Sequence, residues 1–282
     1  MSFTRFVALD WSGARQANGI AVAVCIPGRA APRLVDPPDG RRWSRLQALE
    51  WVAALVTRER ALVGFDFAFS LPFSRAGRYF SHADPSVHDL WTLVDGLSGE
   101  AADLWGGDFA VDPRFAADFW RTGSRPAGYI EPHRPTEMAC RAAGLGAPES
   151  AYKLIGAKQV GLGALAGMRV LHRLNSAAAI WPFTDGPGRS VLVEIYPRLF
   201  LRQVGIGNRK VRTWDDLRTA LEALGSRSPK GGETPPSDHD TDALVAAAGL
   251  RALAEEDLVW DAPRHDNEAL RREGWIFGVP RP

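Results

Sequence analysis

The sequence predicts a mixed α/β protein in which one sheet is flanked by helices. Short apolar runs rich in β-branched residues alternate with segments whose apolar residues recur at helical spacing. Strands placed before and after a helix in this way give a sheet with antiparallel and parallel pairs. The chain has 282 residues, 45% of them hydrophobic, which suffices for one substantial core and excludes a wholly disordered chain. We therefore expect a single domain over 1–282.

The first part of the chain predicts an antiparallel meander, a helix and a further strand. Ser44 is placed to cap the helix, because apolar residues follow it at helical spacing from Leu46 to Val56. The strand at 6–9 ends at Asp10, and the strand at 61–67 carries Asp66. The predicted strands are 6–9, 19–26, 32–36 and 61–67.

Residues 71–150 differ from the rest, because they are rich in Pro, Gly, Trp and Phe. Scattered helical pieces such as 112–120 are the only regular signals in this stretch. Long irregular segments inside a compact domain are uncommon and often functional. We interpret 71–150 as an insertion or lid, and the alternative is an irregular structural subdomain with an aromatic core.

The remaining chain predicts helices and two strands. Thr213 is a candidate N-cap of one of the last two long helices, and Ser237 or Asp238 is the candidate N-cap of the other. Glu194 lies inside a strongly apolar strand. The predicted elements are helices over 162–180, 214–224 and 239–255 and strands over 190–196 and 274–279.

Composition and motifs exclude several classes of protein. The formal net charge of +1 is incompatible with a basic coat for nucleic acid, although a local basic groove is compatible with it. No apolar run is long enough for a signal peptide or a membrane span. Cys25 and Cys140 lie outside any zinc or redox spacing, so we expect a cytoplasmic protein without contact to membranes. The P-loop pattern is also absent.

Four acidic residues are embedded in apolar elements, namely Asp10, Asp66, Glu194 and Asp242. An ionised carboxylate in apolar surroundings is unfavourable unless it is paired or binds a cation. Mg²⁺ and Mn²⁺ prefer such oxygen ligands, and a pair of these ions can hold both oxygens of a phosphodiester displacement. His239 lies three residues before Asp242 on the same helix face, where it is a candidate metal ligand or proton donor. Each residue also has a structural alternative: a strand end, a turn, a pair with an arginine such as Arg198, or a helix start.

The order of these elements resembles the ribonuclease H-like fold, including its Holliday-junction resolvases. More closely, the sequence resembles a family of predicted nucleases known as domain of unknown function 429. The resemblance rests on Asp10, the GFDFAFSLP stretch around Asp66, Glu194 to Pro197, His239 to Ala243, and the ending Glu273 to Ile276. It covers most of the chain and implies a mixed sheet of about five strands and metal-dependent nuclease activity. It further implies that Asp10, Asp66 and Asp242 hold metal, with Glu194 and His239 as additional catalytic residues.

The substrate is then expected to be nucleic acid or another phosphoester. Candidate phosphate-binding residues are Lys153 and Lys158, which are rare lysines in an arginine-rich chain, and Arg125. Arg121, Arg134 and Arg141 recur in the same segment as Arg125, and these arginines are either phosphate contacts or solvated surface. Two other functions remain open. One is an actin-like ATP-binding phosphotransferase, which Asp10–Gly13 faintly resembles. The other is a catalytically inactive protein that binds nucleic acid or a partner.

Overall fold

The computed structural model of the protein describes residues 3–125, 129–156, 159–184, 189–207, 210–232, 236–260 and 268–281. In these ranges six strands form one mixed sheet in the order β3-β2-β1-β4-β6-β5. The strands are β1 (Arg5–Asp10), β2 (Ala21–Cys25), β3 (Arg33–Leu34), β4 (Ala61–Phe65), β5 (Ala179–Ile180) and β6 (Val191–Glu194). The first three pair antiparallel, and β1, β4, β6 and β5 are mutually parallel. The predicted α/β class with a mixed sheet is confirmed.

Helices cover both faces of this sheet. They are α1 (Arg45–Arg58), α2 (Phe73–Ala76), α3 (Val87–Ser98), α4 (Pro135–Ala142), α5 (Gly161–Leu174), α6 (Pro197–Gln203), α7 (Trp214–Ala223), α8 (Asp238–Leu253), α9 (Asp257–Trp260) and α10 (Glu268–Glu273). Ser44, Thr213 and Ser237 cap α1, α7 and α8, and each side chain accepts a hydrogen bond from the third helical N–H. The three predicted N-caps are therefore confirmed.

Alternation along the strands divides the core into two layers. Val7, Leu9 and Phe65 lie in one layer, which includes α1, α3 and α5. Ala8 and Val193 point to the opposite layer, which is formed with α6, α7 and α8. Since successive side chains of a strand point to opposite faces, each strand contributes to both layers.

Two sequence predictions of elements are wrong. The helix predicted over 162–180 ends at Leu174, and Ala179–Ile180 becomes the additional strand β5 because it pairs with β6. The strand predicted over 274–279 is reduced to one bridge between Ile276 and Glu194. Gly274 and Gly278 both have positive φ, which interrupts an extended conformation.

Residues 71–150 contain α2, α3, α4 and several 3₁₀ turns. The helical piece predicted over 112–120 is only a 3₁₀ turn at Ala116–Asp118. The aromatic residues of this segment belong to the core layer that includes α1, α3 and α5, and the rings of Phe109 and Phe115 stack 4.8 Å apart. α3 packs along α5, which joins this segment to the central sheet. Its function as an insertion or lid stays a prediction.

The end of the chain is fixed to this segment by a buried acid. Oε1 of Glu273 accepts a hydrogen bond from the N–H of Phe73 at 2.7 Å. Glu273 is 7% exposed, and burial raises the pKa of this carboxyl to about 7. The folded protein therefore holds the proton of Glu273 at pH values where the unfolded chain has released it.

This difference predicts a specific pH dependence of stability. A carboxyl whose pKa is raised in the folded state loses stabilising free energy as the pH rises from its unfolded pKa to its folded pKa. From pH 4.5 to about 7 the Glu273 contribution should fall by about 3 kcal/mol. Glu273→Gln keeps the acceptor for Phe73 and should remove this loss. Urea unfolding of both proteins across this range measures it, and parallel pH profiles would contradict the assignment.

Within the described ranges, no helix combines the length and the apolar character needed to span a membrane.

Candidate active site

Acidic residues lie at the carboxyl ends of three neighbouring parallel strands. Asp10 is the last residue of β1, Asp66 directly follows β4, and Glu194 is the last residue of β6. β4 pairs in parallel with both β1 and β6, so the three strand ends lie side by side. The sheet topology therefore brings together residues that are far apart in sequence.

The strand register decides which face each acid occupies. Leu9 pairs with Phe65, and Phe65 pairs with Glu194, so these three side chains share one face. Asp10 and Asp66 are each one residue further along and belong to the other face. That face is covered by α8, which carries His239 and Asp242.

α8 completes the site because it packs closely on β1 and β2. Nδ1 of His239 lies 2.5 Å from Oδ2 of Asp10. Gly19 has a φ of +85° and sits against the imidazole, where a Cβ would be 2.5 Å from Nε2 of His239. Gly64 allows a similar approach further along, since its Cβ would lie 2.8 Å from Cδ1 of Leu250 on α8. Glycine at these two positions therefore places α8 next to the acids.

The carboxylates in this site perturb one another. Burial raises the pKa of Asp66 well above its ordinary value, and the charges of Asp10, Asp242 and Glu194 raise it further. Burial, together with the charges of Asp10 and Asp238, raises the pKa of Asp242 to about 7. Burial also raises the pKa of Asp10, against the opposing effect of His239. Like charges this close favour a protonated state or a bound cation.

His239 is the partly exposed member of the group. Its side chain is 55% exposed, whereas that of Asp10 is 9% exposed. The hydrogen bond with Asp10 raises the pKa of His239, so the imidazolium form is favoured. In that form Nδ1–H donates to Oδ2 of Asp10, and Nε2–H is a second donor. His239 can therefore hold or move a proton at the edge of the acid cluster.

Asp10, Asp66 and Asp242 suit a hard divalent cation in their chemistry. Among the described residues, no Arg or Lys forms an ion pair with Asp66 or Asp242. Carboxylate oxygens are the preferred ligands of Mg²⁺ and Mn²⁺. In the same part of the chain, no group of three or more His, Cys, Asp or Glu side chains is already arranged as a metal site. The donor set fits such an ion, whereas its arrangement does not match a finished coordination shell.

Glu194 differs from the other acids because it is paired with a buried arginine. Nη1 and Nη2 of Arg134 donate to its two carboxylate oxygens at 2.8 and 2.5 Å. The N–H of Phe69 donates to Oε2 at 2.9 Å. Nε of Arg134 also donates to Oε1 of Glu137 at 2.9 Å. Both oxygens of Glu194 are thus engaged within the protein, which favours a structural role over metal coordination.

A cavity of about 460 Å³ opens beside the acids. Its wall includes Asp66, Glu194 and His239. The loop after β1, the start of α5 and residues 147–149 form other parts of the wall. Asp242 instead lines a neighbouring pocket of about 70 Å³. Arg198, on α6, borders both spaces.

Two of the three predicted phosphate-binding residues lie in the described ranges, and neither lines the cavity. Nζ of Lys153 pairs at 2.9 Å with Glu149, which is part of the cavity wall, and lies over the ring of Trp120. The exposed Arg125 lies 5.7 Å from the ring centroid of Tyr129. Lys158 falls outside the described residues. For Lys153 and Arg125, the structure thus shows contacts away from the acids.

Sequence reasoning gave three residues of the site other roles. It suggested Arg134 only as one of several arginines of 71–150 that meet phosphate, and nothing indicated its pairing with Glu194. It suggested Arg198 only as a partner of Glu194, and that partner is Arg134 instead. Trp11 lines the cavity, but the sequence suggested it only within the Asp10–Gly13 stretch that faintly resembles a phosphate loop.

Comparison of the chain with known protein families, with curated proteins and with solved structures finds no match. The resemblance to the predicted-nuclease family therefore stays a prediction.

Proposed function

We propose that the protein is a Mg²⁺- or Mn²⁺-dependent phosphodiester hydrolase with a ribonuclease H-like core. One observation carries the proposal: β1, β4 and α8 bring Asp10, Asp66 and Asp242 into one cluster, where burial raises all three pKa values. No such concentration of negative charge is needed for folding. A bound divalent cation would neutralise it.

The sheet supports the ribonuclease H-like part of the proposal. An antiparallel β1-β2-β3 unit is followed by parallel β4 and β6, and α8 closes the site. This is the order of elements on which the sequence resemblance rests. Asp10, Asp66 and Asp242 would hold the metal, in a site for two ions. The metal would polarise the phosphoester and generate a nucleophile from water.

The side chains of this protein supply the remaining functions. His239 holds a proton at Nδ1 against Asp10 and lines the cavity, where it can exchange a proton with a leaving oxygen. Arg134 neutralises Glu194 and fixes it away from the other acids. Residues 147–149 and the start of α5 line the cavity and narrow the path by which water reaches the acids.

The proposal predicts metal-dependent cleavage that requires Asp10. The purified protein should hydrolyse at least one substrate from a set of single-stranded DNA, duplex DNA, RNA and bis(p-nitrophenyl) phosphate with Mn²⁺. Cleavage should stop in chelator. Asp10→Asn should reduce the rate at least about 100-fold, since ligation of the ion is weakened.

Asp215→Asn is the matched control, because Asp215 lies on α7 with a side chain that is 81% exposed. This variant should cleave at the wild-type rate. Equal rates for Asp10→Asn and the wild type would show that the cleavage does not arise at this site. Absence of cleavage together with calorimetric binding of ATP would instead indicate a phosphotransferase, and absence of divalent-cation binding would indicate a non-catalytic binding protein.

A further inference from the structure

The cavity beside the acids has the size of a small-molecule site. Its volume of about 460 Å³ falls within the range of about 300 to 1,000 Å³ that is usual for ligand pockets. Parts of the chain from several elements form its wall, among them the Trp11–Ala14 loop, residues 147–149 and the Tyr196–Arg198 turn. A nucleic-acid duplex is a long rod and cannot enter such a space. One nucleotide can, as in enzymes that take a single base into a snug pocket.

One wall of the cavity is a firmly held indole. The ring of Trp11 contacts Phe65 edge-on at 5.8 Å and packs on Phe67 at 5.3 Å. Trp11 is only partly buried and lines the cavity. A ring held in this way suits stacking with a base.

The basic residues of the cavity suit one phosphate and not a long backbone. Within the described chain, Arg134 and Arg198 are the cationic Lys or Arg side chains in its wall. Arg134 is neutralised by Glu194 and Glu137. Arg198 is exposed and forms no hydrogen bond or ion pair with a described residue. Nearby, Lys210 is paired with Asp238.

Binding along a duplex or a long single strand needs several such contacts, because each neutralised phosphate adds to the affinity. The cavity offers one unpaired guanidinium among the described residues, and the chain as a whole has a net charge of +1. The charge distribution therefore favours a ligand with a single phosphate group near Arg198.

We propose that this cavity binds one nucleotide unit, with the phosphate between Arg198 and the acid cluster and the base against Trp11. This inference rests on the proposed function and specifies its substrate class as small nucleotide phosphoesters or the terminal nucleotide of a single strand. Duplex DNA in its paired form is excluded as a substrate.

Calorimetric titration with AMP and with a short blunt DNA duplex tests the inference. AMP carries no phosphodiester bond, so its binding is measured independently of hydrolysis, both in Mg²⁺ and in chelator. Cleavage of the duplex is checked in the same samples. AMP is expected to bind more tightly in Mg²⁺ than in chelator. Its affinity should fall only weakly with salt, because salt screens a single phosphate contact.

Three variants examine the two residues directly. Trp11→Ala should weaken AMP binding roughly tenfold or more, whereas Trp11→Phe should retain most of the affinity because a ring remains. Arg198→Ala should weaken binding and remove the salt dependence. The controls are Trp51→Ala and Arg218→Ala, which alter α1 and α7 outside the cavity wall and should bind AMP as the wild type does. Thermal melts establish that each variant is folded. If Trp11→Ala does not fold, the AMP affinities of Trp11→Phe and Arg198→Ala test the inference instead.

The inference is overturned if AMP binds neither in Mg²⁺ nor in chelator. It is also overturned if Arg198→Ala binds AMP with wild-type affinity and salt dependence, or if a folded Trp11→Ala variant binds AMP with wild-type affinity. It is also overturned if the duplex binds more tightly with a salt slope of several phosphates. AMP binding without cleavage of any diester would support the inference and contradict the proposed hydrolase. Internal cleavage of the duplex without AMP binding would contradict the inference and support the proposed hydrolase.

Discussion

Asp66→Asn is expected to abolish hydrolysis and at the same time to raise the melting temperature of the metal-free protein. Asp66 is half-buried in the cavity wall, and both its burial and the charges of Asp10, Asp242 and Glu194 oppose its ionisation. Asparagine has nearly the same shape and carries no charge. The substitution therefore removes electrostatic repulsion that the folded state contains and the unfolded chain does not.

The expected loss of rate is at least about 100-fold, because a carboxylate that holds the catalytic ion supplies several kcal/mol of transition-state stabilisation. The expected rise in melting temperature in chelator is a few degrees. Mg²⁺ should stabilise the wild type by mass action and should stabilise Asp66→Asn much less. Thermal melts with Mg²⁺ and with chelator, together with rates in Mn²⁺, measure these effects.

Asp215→Asn again serves as the control, since Asp215 is on the exposed surface of α7. It should change neither the melting temperature nor the response to Mg²⁺. A clear fall in the melting temperature of Asp66→Asn would show that Asp66 stabilises the fold through its charge. Retention of hydrolytic activity by Asp66→Asn would show that Asp66 does not hold the metal.

The adjacency of Asp10 and Asp66 could be predicted from sequence, because each follows a short apolar strand. Parallel strands place their carboxyl ends at one edge of the sheet, and the two acids are neighbours because β1 and β4 are adjacent in it. The capping residue Ser237 likewise fixed where α8 begins, and with it the positions of His239 and Asp242. These predictions depend on patterns of neighbouring residues, and such patterns can be identified in a single sequence.

The orientation of Glu194 could not be predicted in the same way. It depends on the register that pairs Phe65 with Glu194, and a shift by one residue would have placed the carboxylate beside Asp66. The strand β5 illustrates the same limit. Residues Ala179 and Ile180 continue an alanine-rich segment of helical character, and only their pairing with β6 makes them a strand. Tertiary contacts determine both the register of β6 and the formation of β5, and the hydrophobic pattern of the sequence does not specify these contacts.

Arg134→Met is expected to destabilise the protein more strongly than Glu194→Gln does. Arg134 is 1% exposed, and its guanidinium donates to Glu194, to Glu137 and to the main-chain oxygen of Glu273. Its removal leaves two buried carboxylates without their arginine partner. Breaking a buried ion pair in this way costs about 3–5 kcal/mol. Urea unfolding measures the change directly.

The double variant Arg134→Met with Glu194→Gln separates the pair from a general effect of packing. It should recover part of the lost stability, because one of the two unpaired charges is then absent. A double variant that is as unstable as the sum of both single variants would show that Arg134 and Glu194 do not interact energetically.

Glu194→Gln alone distinguishes a structural role from the metal-binding role that the sequence suggested. Glutamine still provides an oxygen for the N–H of Phe69, but it presents only one acceptor to Arg134. A structural role predicts reduced stability with most of the hydrolytic rate retained. The metal-binding role predicts the reverse, namely a rate loss comparable to that of Asp66→Asn without a loss of stability. Because both oxygens of Glu194 already accept hydrogen bonds from Arg134, the first outcome is the expected one.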